Sequence, residues 1–587
     1  MSMIWKFTSI VFLFVLLLSG NLTGQELLPV KKSEFVDNEP NRKKAFGQIK
    51  KANNLYEKGI GFVPQSLDLF LSACKSNDNN PELNYNIGVC YLISGPRNEA
   101  LSYLLSAQLA NADISADIHF LIGLAYKYQN NFSEAIIHFK MNKELIEQNN
   151  YKEQKELLPI SDKHIQECRN GRVLLGKTGD LEIQMIEGQL NSEYDEFNPQ
   201  ILDNSLFFSS RRGLKDDSRS PEDQKFFEKL FKSDRNDLSW SEVVEEKNNL
   251  GENVNSTLLS KFGDKQFVFY NSKSGEGDLF FAEKVKEKWK IGKAVKFINE
   301  KDSRESSASV PLSGDEIYFV SNRKGGFGEC DIYYCSKESD SKWSKPMNIG
   351  GDINTEYDEG DVFISADGAK LFFSSKGHNT MGGYDIFKCE REGTGVWGKP
   401  QNMGYPINSS DNDITYSEDQ DGVFYFASER SGGKGGFDIY CEKIPEPVIE
   451  EVFVAEVDEP EIPVEVIPEA KIEVPVTIPV VSVKSEAVAL TEVPVKQELV
   501  EEDFIYRVQI AAARKEMHPK EIFNRYKGGD VIDHLFVENW HKYTIGEFLT
   551  FKDAAKYRDA CGVKDAFVVL FKGGYRLGIA SKPFGAN

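Results

Sequence analysis

"GDINTEYDEGDVFISADGAKLFFSSKGHNTMGGYDIFKCEREGTGVWGKPQNMG", residues 351–404, is the clearest copy of a repeat that decides how the middle of this chain folds. A polar turn leads into an alternating strand, "DVFISA". Asp367-Gly368 then supplies the positive φ values of a tight hairpin. A second strand, "KLFFSS", a glycine-rich turn, the strand "YDIFKC" and a Trp-containing edge strand complete the unit. An Ile/Val/Leu-Asn step marks five such units, at Asn191, Asn255, Asn299, Asn354 and Asn408. Internal units end in an edge strand such as "WSKPMNIGG". The last stops at "GFDIYCEKIPEP" without one, whereas "GDLEIQMIEGQ" before the first unit is a spare. Four-stranded units repeated radially predict a β-propeller of about five to six blades over residues 171–444, with the N-terminal strand completing the last blade. Residues 213–237 read as a charged loop inserted into the first unit.

The segments "INTEYDE", "LFFSS" and "GGYDIF" are similar to the TolB-like, WD40-like (PD40) propeller repeats of bacterial envelope proteins. The resemblance covers all five units.

Upstream, residues 45–170 read as helical repeats. Gly88, Tyr91, Ala100, Leu104 and Ala107 fall at offsets 0, 3, 12, 16 and 19, and 35 residues later Gly123, Tyr126, Ala135 and Phe139 repeat the first four. A degenerate earlier copy has Phe70 and Ala73 in register. Small residues where paired helices touch and large ones where they interlock resemble the tetratricopeptide repeat. That resemblance implies an all-α solenoid with a concave groove for a peptide or protein partner. A purely structural spacer is the alternative.

The formal net charge of −22 argues against nucleic acid or an acidic membrane surface as a partner. Residues 1–24 have the layout of a secretory signal peptide, with Lys6, an apolar run from Ile10 to Leu18 and a small-residue end at Gly24. The run is short for a membrane span, which needs about 20 residues. An exported, periplasmic, cell-wall-associated chain is expected, with no transmembrane segment after cleavage. The eight cysteines show no CxxC pair, and three follow a "DIY" or "DIF" strand, so they are expected as buried apolar residues. Residues 445–502 hold 8 Pro, 15 acidic and 3 basic side chains, the composition of an extended, disordered linker.

Residues 503–587 read as a small α+β domain of order βαββαβ with both helices on one face, carrying 14 Lys/Arg against 10 Asp/Glu. Along "NWHKYTI", Trp540, Lys542 and Thr544 share one face of the strand, and His541, Tyr543 and Ile545 the other. An indole beside an ammonium on an open sheet face suits a sugar ring and an anionic group. The segments "RVQIAAA" and "WHKYTIGEF" resemble the SPOR domain. That resemblance implies binding of peptidoglycan glycan strands stripped of stem peptides, with Gln509, Trp540 and Lys542 as glycan-contacting residues. Ala512 stands where the family often has serine.

The sequence carries no HExxH, GxSxG or P-loop, and the "YDE" and "DND" clusters recur at one repeat position, as turn-capping carboxylates do. No catalytic residue, metal or cofactor is assigned, and a non-enzymatic periplasmic scaffold is expected. It would bind peptidoglycan at its C-terminus and envelope proteins through the helical repeats and the propeller. The overall order resembles peptidoglycan-anchoring accessory proteins of Bacteroidetes type IX secretion and gliding, though those usually end in an OmpA-like domain and carry a lipid anchor. The rivals are a peptidoglycan-targeted enzyme and a ligand sensor, each using the propeller channel.

Overall fold

The computed structural model describes residues 25–443 and 504–579 of the 587-residue chain. Within these limits, residues 35–38, 150–153, 177–180, 214–218, 221–222, 237–238, 250–253, 263–265, 273–276, 287, 340–341 and 394 are not described, nor are 516, 518–524, 528–531, 538–539, 549 and 573–574. Residues up to Lys443 form one unit and those from Ile444 another. The expected signal peptide (1–24) and linker (445–502) lie outside the described residues.

Three helical hairpins open the first unit: α1 (Glu39–Tyr56) with α2 (Val63–Cys74), α3 (Pro81–Ser94) with α4 (Ala100–Ala110), and α5 (Ile118–Tyr128) with α6 (Phe132–Asn149). Asn80 caps α3, accepting from the Leu83 amide, with Pro81 in the first turn. The repeat residues set the hairpin spacing. A Cβ on Gly88 would meet the Leu104 side chain at 2.6 Å, and one on Gly123 would meet Phe139 at 2.8 Å. Ala100, Leu104, Ala107, Ala135 and Phe139 are fully buried in the shared core. A seventh helix, α7 (Gln154–Leu175), packs on α6. Helix therefore continues beyond the expected limit at residue 170.

Five antiparallel sheets follow, arranged as the blades of a propeller-like ring. Their inner strands are Glu196–Leu202, Asn255–Phe262, Glu305–Ser309, Glu359–Ile364 and Asp413–Glu418, each touching the next and the fifth touching the first. The strand Ile183–Met185 pairs antiparallel with Asp438–Glu442, so the N-terminal strand does complete the last blade. The residues expected as an inserted loop are partly blade: Lys229–Asn236 is the third strand of the first sheet, with Leu230 buried on the face toward the second blade and Phe231 on the face toward the fifth.

The motif residues join blade to blade. Asn354 receives the Ile332 amide (2.8 Å) and donates to the Ile332 carbonyl (3.0 Å) of the preceding blade. Asn191 does the same to Ile439, Asn299 to Leu279, and Asn408 to Ile386. Asn255 does not. It begins an inner strand, opposite Ser272, where other blades carry Glu196, Glu305, Glu359 and Asp413. The glycine-rich turns fit under the next blade: a Cβ on Gly328, Gly382 or Gly435 would lie 2.0, 2.1 or 1.8 Å from the carbonyl oxygen of Tyr357, Asp411 or Tyr194. Only a residue without a side chain allows that approach. The Gly435–Tyr194 contact joins the fifth blade to the first.

The helices sit on the face of the ring where the inner strands begin. Arg97 donates to Asp411 (2.6 Å) and Glu429 (2.9 Å). Lys127, buried with Glu167 at 2.5 Å, also donates to the Gly382 carbonyl (3.1 Å). Asn170 donates to the Thr380 carbonyl. The inserted segment reaches back, with Asp223 accepting from the Gly61 amide and Arg219 lying over the Phe62 ring.

The second unit is a five-stranded sheet. Its strands are β1 (Phe504–Ala513), β2 (Ile532–Val537), β3 (Trp540–Phe548), β4 (Phe567–Lys572) and β5 (Tyr575–Ile579), in the order β2-β3-β1-β4-β5. The segment expected as a last strand and tail is a hairpin, so there is one strand more than anticipated. Helix α8 (Phe551–Ala560), capped by Thr550, covers one face through Ala554 against Tyr506, Val568 and Leu570. The expected first helix lies almost wholly outside the described residues.

Candidate functional site

Alternation along β1 and β3 places the three sequence-selected residues on one face of the second unit. Tyr543 and Ile545 pack with Val508, Ile510 and Val563 in the core, so Lys542 and Thr544 point the other way. Gln509 pairs with Thr544, and Ala512 with Lys542. A bulge between Gln509 and Ala511 lets Ile510 and Ala511 both enter the core, which returns Ala512 to the outer face.

The face is not the open platform expected. Gln509 is 3% exposed, Lys542 7% and Thr544 0%. An ion pair between Arg507 of β1 and Asp533 of β2 spans the intervening β3, with Thr544 lying between Asp533 and Gln509 in the ladder. Trp540 is half-buried, and the Arg514 guanidinium lies 4.5 Å from its ring centroid. The indole face expected to take a sugar is therefore occupied by a cation. Arg507, Asp533 and Arg514 were missed in the sequence, although strand alternation puts Arg514 on the same side as Ala512.

In the first unit the recurring carboxylates hold turns. Glu196 accepts from the Ser192 amide (2.7 Å), from Ser210 (2.6 Å) and from Arg212 (3.2 Å). Glu305 has Ser303, Ser321 and Arg323, and Asp413 has Ser409 and Arg430. Blade four departs from this pattern. Its carboxylate, Glu359, has Thr355 and Ser375, but Gly377 stands where blades one, three and five place Arg212, Arg323 and Arg430. Burial, with no guanidinium beside it, pushes Glu359 up to about 7. Asp385, which closes the glycine-rich turn by accepting from the Met381 and Gly382 amides, is also pushed by burial to about 7.

Around the ring axis the bulged inner strands meet through polar side chains. Asn198 donates through its side-chain amide to Thr257 (2.9 Å) and through its backbone N–H to the Thr415 hydroxyl (3.1 Å). Ser307 accepts from the Val362 amide. Asp361, on the same turn of its strand, is held by Ser374 and raised by burial to about 6. Among the described residues, no group of three or more His, Cys, Asp or Glu is arranged to hold a metal.

The five radial sheets define a β-propeller-like protein, with helices on one face of the ring and a separate α+β unit. Solved structures similar to it include TolB from Acinetobacter baumannii, at 14% identity over 41% of this chain and 52% of that one, with a TM-score of 0.23. This chain thus spans about half the length of TolB. An α-L-arabinofuranosidase from Fusarium graminearum is 11% identical over 45% of this chain and 98% of that one, with a TM-score of 0.30. An α-L-arabinanase from Penicillium chrysogenum is 9% identical over 43% and 98%, with a TM-score of 0.29. No protein-family model matches the chain, and no curated protein matches it. The expectation that the chain is not an enzyme is corrected here, because glycosidases stand among these neighbours. At these identities and TM-scores the likeness assigns no reaction to this chain.

Proposed function

We propose that this chain is an exported, wall-associated protein of the bacterial envelope. Its C-terminal unit binds peptidoglycan glycan strands, and its helical repeats and propeller hold protein partners, in the manner of an accessory protein of a secretion or gliding machine. The observation that carries the reading is the convergence of Gln509, Trp540 and Lys542 on the sheet face opposite α8. Trp540 supplies the flat apolar surface and Lys542 the cation that an amino-sugar strand with anionic groups would use. No helix among the described residues is long and apolar enough to cross a membrane.

The test is co-sedimentation of the chain with purified peptidoglycan before and after amidase removal of the stem peptides. Binding should rise on stripped glycans and fall at least tenfold in Trp540→Ala. Arg514→Ala should bind at least as well as the parent, because it clears the indole face. Equal sedimentation of Trp540→Ala and the parent would overturn the reading.

A further inference from the structure

The groove of the helical repeats is already filled. Residues Gln25–Glu34 run without regular secondary structure, apart from one short turn at Lys32–Glu34, against the first helices of the hairpins. Asn86, on α3, grips the backbone at two points: its amide oxygen accepts from the Leu28 N–H (2.7 Å) and its amide nitrogen donates to the Leu28 carbonyl (2.9 Å). Tyr56, at the end of α1, donates to the Gln25 carbonyl (2.6 Å). The Gln25 side chain is 3% exposed and donates to the Tyr85 hydroxyl (2.7 Å) and to Asp117 (2.6 Å). Leu27 and Leu28 pack on the solenoid core and Val30 is buried in it.

These contacts have the form of peptide recognition rather than of a folded core. The clamp on Leu28 reads main chain only, so it holds any extended segment. Selectivity comes from the amide pocket of Tyr85 and Asp117 and from the apolar seats two, three and five residues further on. The Gln25 Oε1 is buried without a partner. A buried amide oxygen left unpaired loses its hydration without replacement, which disfavours this occupant relative to one that satisfies the pocket.

We propose that the solenoid groove is a binding site for an extended peptide, and that residues 25–34 are its tethered, competing occupant. A peptide in trans enters only when this strap leaves. Its chemistry is that of the strap: an amide side chain, then apolar residues and proline in "QELLPV" order. This deepens the reading of the helical repeats as a partner surface and is independent of glycan binding, which sedimentation reports separately.

The probe is a fluorescent synthetic peptide of residues 25–34, followed by anisotropy. With the chain from Gln25 onward, no saturable binding is expected. With a chain beginning at residue 35, saturable binding is expected. Adding Asn86→Ala should weaken it about tenfold, as loss of two hydrogen bonds implies. A strapless chain that keeps its helical circular dichroism yet binds nothing at millimolar peptide would overturn the proposal. Should that chain fail to fold, Asn86→Ala with Tyr56→Phe in the strapped chain serves instead. Proteolysis between Gln25 and Glu34 should then be at least tenfold faster with helicity unchanged, and an unchanged rate would refute the proposal. Peptidoglycan sedimentation should be the same in every variant.

Discussion

Arg97→Ala is the sharpest test of how the helices are held to the propeller. The guanidinium is 16% exposed and lies between Asp411, 3% exposed, and Glu429, 14% exposed. It also donates to the Leu92 carbonyl (3.2 Å) and lies 5.1 Å from the Tyr128 ring centroid. Its removal leaves two buried carboxylates facing each other. Breaking a buried pair by deleting one partner costs about 3–5 kcal/mol. The cost should depend on pH in a defined direction. Burial already raises Asp411 to about 6, with Arg97 opposing that rise. Without Arg97 the acid rises further and binds a proton that the parent's folded state does not. One extra proton changes relative stability by about 1.4 kcal/mol per pH unit. Lowering the pH from 8 to 6 should therefore recover about 2–3 kcal/mol of the loss. Urea unfolding of the full chain reads this with two probes. Four of the six tryptophans, Trp240, Trp289, Trp343 and Trp397, lie in the propeller, whereas ellipticity at 222 nm follows the helices. In the variant the helical transition should precede the fluorescence transition at pH 8, and the two should converge at pH 6. Coincident transitions at pH 8 with a loss below about 1 kcal/mol, or a loss that does not shrink on acidification, would refute the reasoning.

The parent propeller should itself become more stable as pH falls from 8 to about 5.5. Glu359 and Asp385 are raised to about 7, and Asp361 and Asp411 to about 6. A raised carboxyl stabilises the fold fully below its unfolded value, and that contribution is lost as pH rises through its folded value. A melting temperature that drops on mild acidification would contradict this. Glu359→Gln should change stability at pH 8 by less than about 1 kcal/mol, because no guanidinium depends on it, whereas Glu305→Gln leaves Arg323 only the exposed Glu300 at 3.8 Å and should cost about 2–3 kcal/mol; equal losses in thermal melts would contradict the difference. Asn354→Leu removes two buried backbone bonds at a blade junction and should cost about 2–4 kcal/mol, whereas Asn255→Leu removes one bond among the described residues, from the Glu228 amide (2.9 Å), and should cost about half that in the same melts.

Repetition is what made this fold legible. The tight hairpin and the asparagine clamp are written several times, so a reader can align copies, see that the last one lacks its edge strand, and assign Ile183–Met185 to finish the fifth blade. Asn255 misled for the same reason: it looks like the clamp residue but sits at the start of an inner strand, where its siblings are acidic. Features that occur once left no such trace. Nothing local to Arg97 reveals that its partners lie at Asp411 and Glu429, and nothing in "QELLPVKKSE" reveals that Asn86 will hold it.

The C-terminal face shows the limit most plainly. Alternation alone gave the side on which Gln509, Trp540 and Lys542 lie, because a strand has only two faces. Whether that side is open depends on neighbours brought in from other strands. Arg514 reaches the Trp540 ring, and Asp533 reaches Arg507 across β3. Both are charged residues that a sequence reading assigns to solvent. On the proposed reading, the glycan surface and its cover are made from one sheet, so affinity there would be set by what leaves Trp540 as much as by what arrives. Removing the Arg514 cation separates these two contributions, since it alters the cover and leaves Gln509, Trp540 and Lys542 in place.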